Sequence, residues 1–99
     1  MARPTKLEEA EIARRLKALP GWEIKGGKLH RDLVFSDFAE AFRFMTGVAF
    51  AAERLNHHPE WANVYNRVSI ELVTHDAQGI TALDFDLAER VHQLAEPRR

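Results

Sequence analysis

The stretch from Phe38 to Leu55 most constrains the fold, because its apolar residues recur at steps of three and four. That spacing predicts a long helix whose apolar stripe faces a sheet or another helix. Pro59 disfavours the α conformation in the residue before it, so we expect the helix to end near Asn56 or His57. The predicted buried stripe contains Phe38, Phe42, Met45, Val48, Ala49, Ala52 and Leu55.

Three further features of this helix bear on its role. Asp37, with Glu40 three residues later, fits a capping box at the amino end. Glu53 and His57 are four residues apart at the margin of the stripe, where buried surface meets solvent and a cleft can form. Phe44 falls on the other margin, which predicts either a subunit contact or an isolated exposed aromatic ring.

The chain before this helix predicts one helix and one hairpin. Thr5 and Glu8 have capping-box spacing, and a helix over residues 6–18 is expected to follow them. Alternating apolar residues on both sides of a turn over 25–28, which contains two glycines, then predict a β-hairpin.

The chain after Pro59 predicts two strands and a final helix. The strands are expected over 62–65 and 68–75, the second with Val68, Ile70 and Leu72 on one face. Thr81 and Asp84 have the spacing of a capping box at the start of the last helix. Its predicted buried face contains Leu83, Leu87, Val91 and Leu94, and Pro97, Arg98 and Arg99 are expected to form a frayed tail.

The order of these elements is helix, strand, strand, helix, strand, strand, helix. It predicts an α+β fold with a four-stranded antiparallel sheet and three helices packed on one face. With 99 residues, 45% of them hydrophobic, the chain is expected to form a single domain over residues 1–99.

Composition excludes several classes of function. The chain contains 14 Lys and Arg residues and 15 Asp and Glu residues, so its charges nearly balance and its pI is near 6.5. This balance predicts neither a nucleic-acid nor an anionic-membrane partner. The absence of cysteine rules out disulfides, Cys-ligated zinc and thiol catalysis. Neither a signal peptide nor a membrane span is recognisable, so we expect a soluble, cytoplasmic protein.

Three histidines carry the possible chemistry: His57, His58 and His75. An imidazole titrates near pH 6.5, so the three could act as general acids and bases, for example in a dehydration. They could instead ligate zinc, although adjacent histidines at a helix end point apart. A third interpretation is structural, with His57 as a cation at a helix carboxyl end. His30, on a predicted strand, is interpreted as an ordinary surface histidine.

The run from Glu53 to Trp61, ERLNHHPEW, resembles the signature of the pterin-4a-carbinolamine dehydratases. The similarity continues through the segment 63–66 and through Thr74, His75, Gly79 and Asp84, and it extends back to Phe38. This family has small α+β subunits that assemble into dimers or tetramers. The resemblance implies dehydration of 4a-hydroxytetrahydropterin to quinonoid dihydropterin without a metal or other cofactor, in tetrahydrobiopterin recycling.

The resemblance also implies roles for individual residues. His57 and His75 would serve as acid and base, while His58 would bind and orient the pterin and assist catalysis. Glu53 and Asp84 would orient or charge the imidazoles. The residues implied to contact substrate are Glu53, His57, His58, Pro59, Trp61, Thr74, His75, Asp76, Ala77 and Asp84, although Trp61 could be only a core residue.

One departure and one alternative accompany the resemblance. Animal members carry an arginine where this chain has Leu83, so any contact that this arginine makes is missing here. Some animal members also act as dimerisation cofactors of a homeodomain transcription factor. The chain could accordingly be a protein-interaction module that uses the surface around Arg43 and Phe44, which could equally serve a homo-oligomer.

Overall fold

The computed structural model describes residues 4–95, and its elements follow the predicted order. A single short 3-10 helix, His75–Ala77, lies between the last strand and the last helix of the described chain. The elements are α1 (Glu9–Leu16), β1 (Glu23–Lys25), β2 (Lys28–Val34), α2 (Phe38–Leu55), β3 (Glu60–Val64), β4 (Arg67–Leu72) and α3 (Ala82–Ala95).

The four strands form one antiparallel sheet in the order β1-β2-β4-β3, which confirms the predicted sheet. The hairpin between β1 and β2 turns through Gly26 and Gly27, whose φ angles of 59° and 78° suit glycine best. One face of the sheet packs against α2 and α3 and supplies Leu29, Leu33, Val68, Ile70 and Leu72 to the core.

The other face of the sheet is mainly polar, and we call it the open face. Because side chains alternate along a strand, every second residue of β2 and of β4 points to the open face. Register places Glu60 of β3 opposite Glu71 of β4, and Glu71 opposite His30 of β2. A row of ionisable side chains therefore crosses the open face towards the start of β3.

Both ends of α2 form as the sequence predicts. The Asp37 side chain caps the helix by accepting a 2.8 Å hydrogen bond from the Glu40 N–H, and the Glu40 carboxylate accepts one from the Ser36 N–H. At the other end Asn56 adopts the left-handed conformation, with φ 51°, and closes the helix. The chain then leaves for β3 through His57, His58 and Pro59.

The predicted buried stripe of α2 is partly wrong. Phe44, expected at the surface, is 6% exposed and packs on Phe35, with ring centroids 4.9 Å apart. Phe38 and Phe42, expected in the core, are about half exposed. The residues that are buried are Ala41, Phe44, Val48, Ala51 and Ala52. Small alanines let the helix axis approach the sheet, so they, rather than the largest apolar side chains, define the packed face.

The start of α1 also differs from the prediction. The helix begins at Glu9, and its N-cap, Glu8, makes no side-chain capping bond, so the predicted capping box at Thr5 is wrong. The preceding residues make tertiary contacts instead, because the Leu7 N–H donates to the Ile80 carbonyl. A Cβ at Gly79 would lie 2.7 Å from Lys6 Cε, so glycine allows the two segments to approach.

Helix α3 buries Phe85, Leu87, Ala88 and Val91, while Leu94 is 37% exposed, so its predicted buried face is right only in part. The predicted tail at Pro97, Arg98 and Arg99 lies outside the described residues. Within residues 4–95, the structure has no helix with the length and apolar content needed to cross a membrane.

Candidate active site

The end of α2 and the start of α3 meet through His57 and Asp84. His57 Nε2 donates to Asp84 Oδ1 at 2.5 Å, although the two residues are 27 positions apart in the chain. The His57 side chain is 11% exposed and that of Asp84 is fully buried. Charge interactions are stronger away from water. The bond between His57 and Asp84 is therefore strengthened more by burial than the bonds that His58 and His75 make to their carboxylates.

Asp84 accepts two further hydrogen bonds besides the one from His57. The Thr81 N–H and the Thr74 hydroxyl each donate to Asp84 Oδ2 at 2.8 Å. Because Thr74 donates to the carboxylate, the Thr81 hydroxyl donates to Thr74 across 2.7 Å, and it accepts from the Leu83 N–H. Buried donors and acceptors thus satisfy one another, which fixes the carboxylate that orients His57.

His58 leaves the helix end in another direction and contacts Glu53. Its Nε2 donates to Glu53 Oε1 at 2.6 Å. The His58 and Glu53 side chains are 56% and 76% exposed, so water screens this pair. His58 can therefore reach a ligand on the surface while Glu53 fixes one of its ring nitrogens.

His75 opens the 3-10 helix after β4 and contacts the start of β3. Its Nε2 donates to Glu60 Oε2 at 2.8 Å, and Lys28 Nζ donates to the other carboxylate oxygen at 2.5 Å. The bond to Lys28, followed by the bond to His75, lowers the pKa of Glu60 below its ordinary value. Glu60 is thus kept ionised as an acceptor beside His75.

Contacts connect the three histidines into one region. His57 bonds Asp84, which bonds Thr74, the residue before His75. His75 bonds Glu60, which follows His58 by two positions. In all three imidazoles a carboxylate holds Nε2, so Nδ1 is the nitrogen left to exchange a proton with a ligand.

The contacts of these three imidazoles bear on whether they could ligate zinc together. The Nε2 atoms of His57, His58 and His75 bond three different carboxylates rather than converging on one point. Among residues 4–95, no group of three or more His, Asp or Glu side chains is placed to hold a metal ion.

The other predicted site residues border this region. Trp61 in β3 packs against the core beside its strand partner Ile70, and it is only half-buried. Pro59 is half-buried between His58 and Glu60. Asp76 and Ala77 lie in the 3-10 helix, whose turn closes when the Ala77 N–H donates to the Thr74 carbonyl.

Sequence reasoning gave no role to Glu60 or Lys28, which contact the His75 region. Glu60 stands inside the signature run, but Lys28 is 32 positions away, and only strand register brings the two together. The sequence did contain one signal for Glu60. It directly follows Pro59 at the start of a strand, two positions after His58.

A groove of about 380 Å³ runs beside α3, where it meets the end of α2. The residues that line it are Leu55, Asp86, Glu89, Arg90 and Gln93, none of which is a predicted site residue. The histidines instead border an open surface, since the His58 and His75 side chains are more than half exposed.

His30 is buried, so its interpretation as a surface histidine is wrong. It is 4% exposed on the open face, with Nδ1 3.1 Å from Glu71 Oε2 and Nε2 3.1 Å from Asp32 Oδ1. Burial opposes protonation, but the two carboxylates outweigh it and raise the pKa of His30 above its ordinary value. Lys25 opposes this effect, and Glu23 is the strand partner of His30.

We expect His30→Gln to destabilise the fold mainly at acidic pH. Since the folded-state pKa is raised, the stabilisation is complete below the unfolded pKa of about 6.5 and is lost as pH rises through the folded-state value. Losing the hydrogen bond to Glu71 and the ion pair with Asp32 is expected to cost about 1.5 to 3 kcal/mol at about pH 5.5. Urea unfolding of both proteins between about pH 5.5 and pH 8.5 measures the difference.

His58→Gln provides the matched control, because it removes an exposed histidine that also pairs with a carboxylate. Its unfolding free energy is expected to change by less than about 1 kcal/mol across the same range. A destabilisation by His30→Gln that stays constant or grows with pH would contradict the assigned sign.

Comparison with known proteins shows which family includes this chain. The family model described as pterin 4 alpha carbinolamine dehydratase matches residues 5–94. The chain belongs to this family. A relative from Sinorhizobium medicae, provisionally named pterin-4-alpha-carbinolamine dehydratase, is 56% identical over 97% of this chain and 93% of its own length. A Solibacter usitatus relative with the same provisional name is 56% identical over 92% of this chain and 96% of its own.

A solved structure agrees with this family assignment. The crystal structure of a transcriptional coactivator/pterin dehydratase from Brucella melitensis superposes with a TM-score of 0.90 and 42% identity. The alignment covers 93% of this chain and all of that one. The fold and the length of the domain are therefore those of the pterin-4a-carbinolamine dehydratase family.

Proposed function

We propose that this protein removes water from 4a-hydroxytetrahydropterin to give quinonoid dihydropterin. The observation that carries the proposal is the His57–Asp84 pair, in which a buried carboxylate holds Nε2 and leaves Nδ1 for a ligand. His58 and His75 border the same region, so proton donors and acceptors can meet different parts of one flat ring.

In the proposed reaction His57 and His75 divide the acid and base roles. One imidazolium donates a proton to the 4a-hydroxyl while the N5 lone pair forms a C4a–N5 double bond and the C4a–O bond breaks. The other imidazole accepts the N5 proton, so water leaves and no electrons are gained or lost. Each positioned imidazole contributes on the order of 10²- to 10⁴-fold to the rate.

The remaining predicted residues bind or support the pterin in this proposal. His58 orients it and assists catalysis, with Glu53 holding the imidazole. Thr74 and Asp84 act from beneath the surface, because both are buried and bonded to each other. Pro59, Trp61, Asp76 and Ala77 surround the ring. Because Leu83 stands where animal members carry arginine, any contact that this arginine makes is missing here.

The protein needs no bound cofactor for this reaction, since the pterin is the substrate. We place it in tetrahydrobiopterin recycling in the cytoplasm, as a homo-oligomer that binds neither nucleic acid nor membrane. Three exposed aromatic side chains of α2, Phe38, Phe42 and Phe50, support an oligomer, because apolar surface of this kind is commonly covered by another subunit.

Stopped-flow measurement of water loss from chemically generated 4a-hydroxytetrahydropterin tests the proposal. We expect the protein to accelerate the loss after exhaustive chelation, over a range of pH values. Failure of the folded protein to accelerate it would refute the enzyme function, and loss of acceleration on chelation would refute the metal-free mechanism.

A second candidate function is a protein-interaction module, such as a dimerisation cofactor of a transcription factor. The same exposed phenylalanines of α2 favour it, and the Brucella melitensis neighbour is named both coactivator and dehydratase. Phe44 is buried and cannot contribute to such a surface. Solution mass separates the two uses of α2, since a stable homotetramer would cover it and a dimer would leave it open.

A further inference from the structure

Glu60, the first residue of β3, bonds one partner in β2 and another in the 3-10 helix. Its Oε2 accepts from His75 Nε2 at 2.8 Å, and its Oε1 accepts from Lys28 Nζ at 2.5 Å. The side chains of Lys28, Glu60 and His75 are 32%, 41% and 74% exposed. The carboxylate is thus anchored to β2 before it contacts the imidazole.

We propose that Glu60, held in place by Lys28, is a positioning residue that selects the tautomer and orientation of His75. The inference rests on the proposed function, in which His75 exchanges a proton with the pterin. Glu60 itself contacts no reacting atom and acts only through the histidine.

The local backbone explains why His75 needs such a partner. It opens a helix of three residues, and its side chain is mostly surrounded by solvent. In the described part of the chain, Glu60 is the side chain that bonds this ring. Without it the ring would rotate about χ1 and χ2 and populate both neutral tautomers, so fewer molecules would present the correct nitrogen to a ligand.

The charges around Glu60 keep it an acceptor. The Lys28 ammonium, and then His75, lower the pKa of the Glu60 carboxyl, and Glu60 in turn raises the pKa of Lys28. An ionised carboxylate has no proton to donate, so His75 must present Nε2–H to it and Nδ1 to the ligand. Glu71 lies opposite Glu60 in the sheet, but its carboxylate pairs with His30.

The tautomer of His75 can be measured without any substrate. In protein labelled with ¹⁵N-histidine, we expect His75 to show the Nε2–H tautomer at a pH where its ring is neutral. Glu60→Ala is expected to give a mixture of both tautomers. Glu60→Gln retains a carbonyl acceptor and is expected to recover most of the Nε2–H form. Glu71→Gln removes the neighbouring carboxylate and is the matched control, expected to leave His75 unchanged.

The rate of dehydration supplies the second measurement. Glu60→Ala is expected to lower kcat about 10- to 100-fold, as loss of an orienting partner commonly does, with KM changed less than about threefold. Glu60→Gln should restore part of the rate, and Glu71→Gln should keep all of it. A merely structural role would lower stability without moving the tautomer or kcat.

The outcomes separate this inference from the proposed function. A wild-type tautomer in Glu60→Ala, or unchanged kcat in an active enzyme, would overturn the positioning role. If the wild-type protein does not accelerate dehydration at all, the proposed function fails. The tautomer measurement then still decides whether Glu60 orients His75.

Discussion

Replacing His57 with alanine is expected to lower the dehydration rate on the order of 10²- to 10⁴-fold, the usual contribution of one positioned acid or base. Its Nε2 bonds Asp84, so Nδ1 is the atom through which it would act in the proposed reaction. Stopped-flow rates at saturating pterin measure the effect. His75→Ala is expected to act in the same direction, since the proposed mechanism gives His57 and His75 complementary roles.

A second variant keeps this prediction independent of folding. His57→Gln retains an N–H that can donate to Asp84 but has no titratable nitrogen, so we expect a folded and inactive protein. Added imidazole should partly restore the rate of His57→Ala by occupying the space left by the ring. His92→Gln removes a half-buried histidine of α3 as a control and should stay fully active. Full activity in both His57 and His75 variants would disprove the acid and base assignment.

Replacing Asp84 with alanine is expected to have the largest effect on stability. The variant leaves the Thr81 N–H, the Thr74 hydroxyl and His57 Nε2 without their common acceptor in a buried place. Removing one partner of a buried charged network costs about 3 to 5 kcal/mol. For a domain of this size, that corresponds to a fall in Tm of at least about 12 °C, which calorimetry can measure.

Two variants separate the stabilising role of Asp84 from its orienting role. Asp84→Asn retains an oxygen for the threonine donors but turns an N–H₂ towards His57, which would then have to change tautomer. We therefore expect it to fold better than Asp84→Ala yet to lose most activity. Asp86→Ala removes an exposed carboxylate two residues further along α3 and should change stability by less than about 0.5 kcal/mol. An active Asp84→Asn protein would contradict the orienting role.

The sequence predicted the elements better than it predicted their packing. Helix α2 was recognisable from periodicity and from Asp37, but it is apolar on several sides, and periodicity alone wrongly chose Phe42 rather than Phe44 as the core residue. Sheet geometry selects Phe44 through the small side chains Ala41 and Ala51. At α1 the capping pattern at Thr5 failed, because tertiary contacts to the segment before α3 hold these residues instead.

The sequence named candidate site residues, but it could not predict the contacts that they make. Spacing placed His57 and His58 at a helix end and left acid-base, metal and structural roles open. The resemblance to the dehydratases favoured the first, and the structure supplied the pairing of His57 with Asp84. That pairing depends on how α2 and α3 cross, and the pairing of Lys28 with Glu60 depends on strand register. Neither can be obtained from local sequence.

The three imidazole side chains differ in exposure, from 11% for His57 to 56% for His58 and 74% for His75. In a single chain the region is therefore closed at one end and open to solvent at the other. Under the proposed function, a flat pterin would therefore enter and leave from the open end. Turnover would then be limited by chemistry or by diffusion rather than by the opening of a gate.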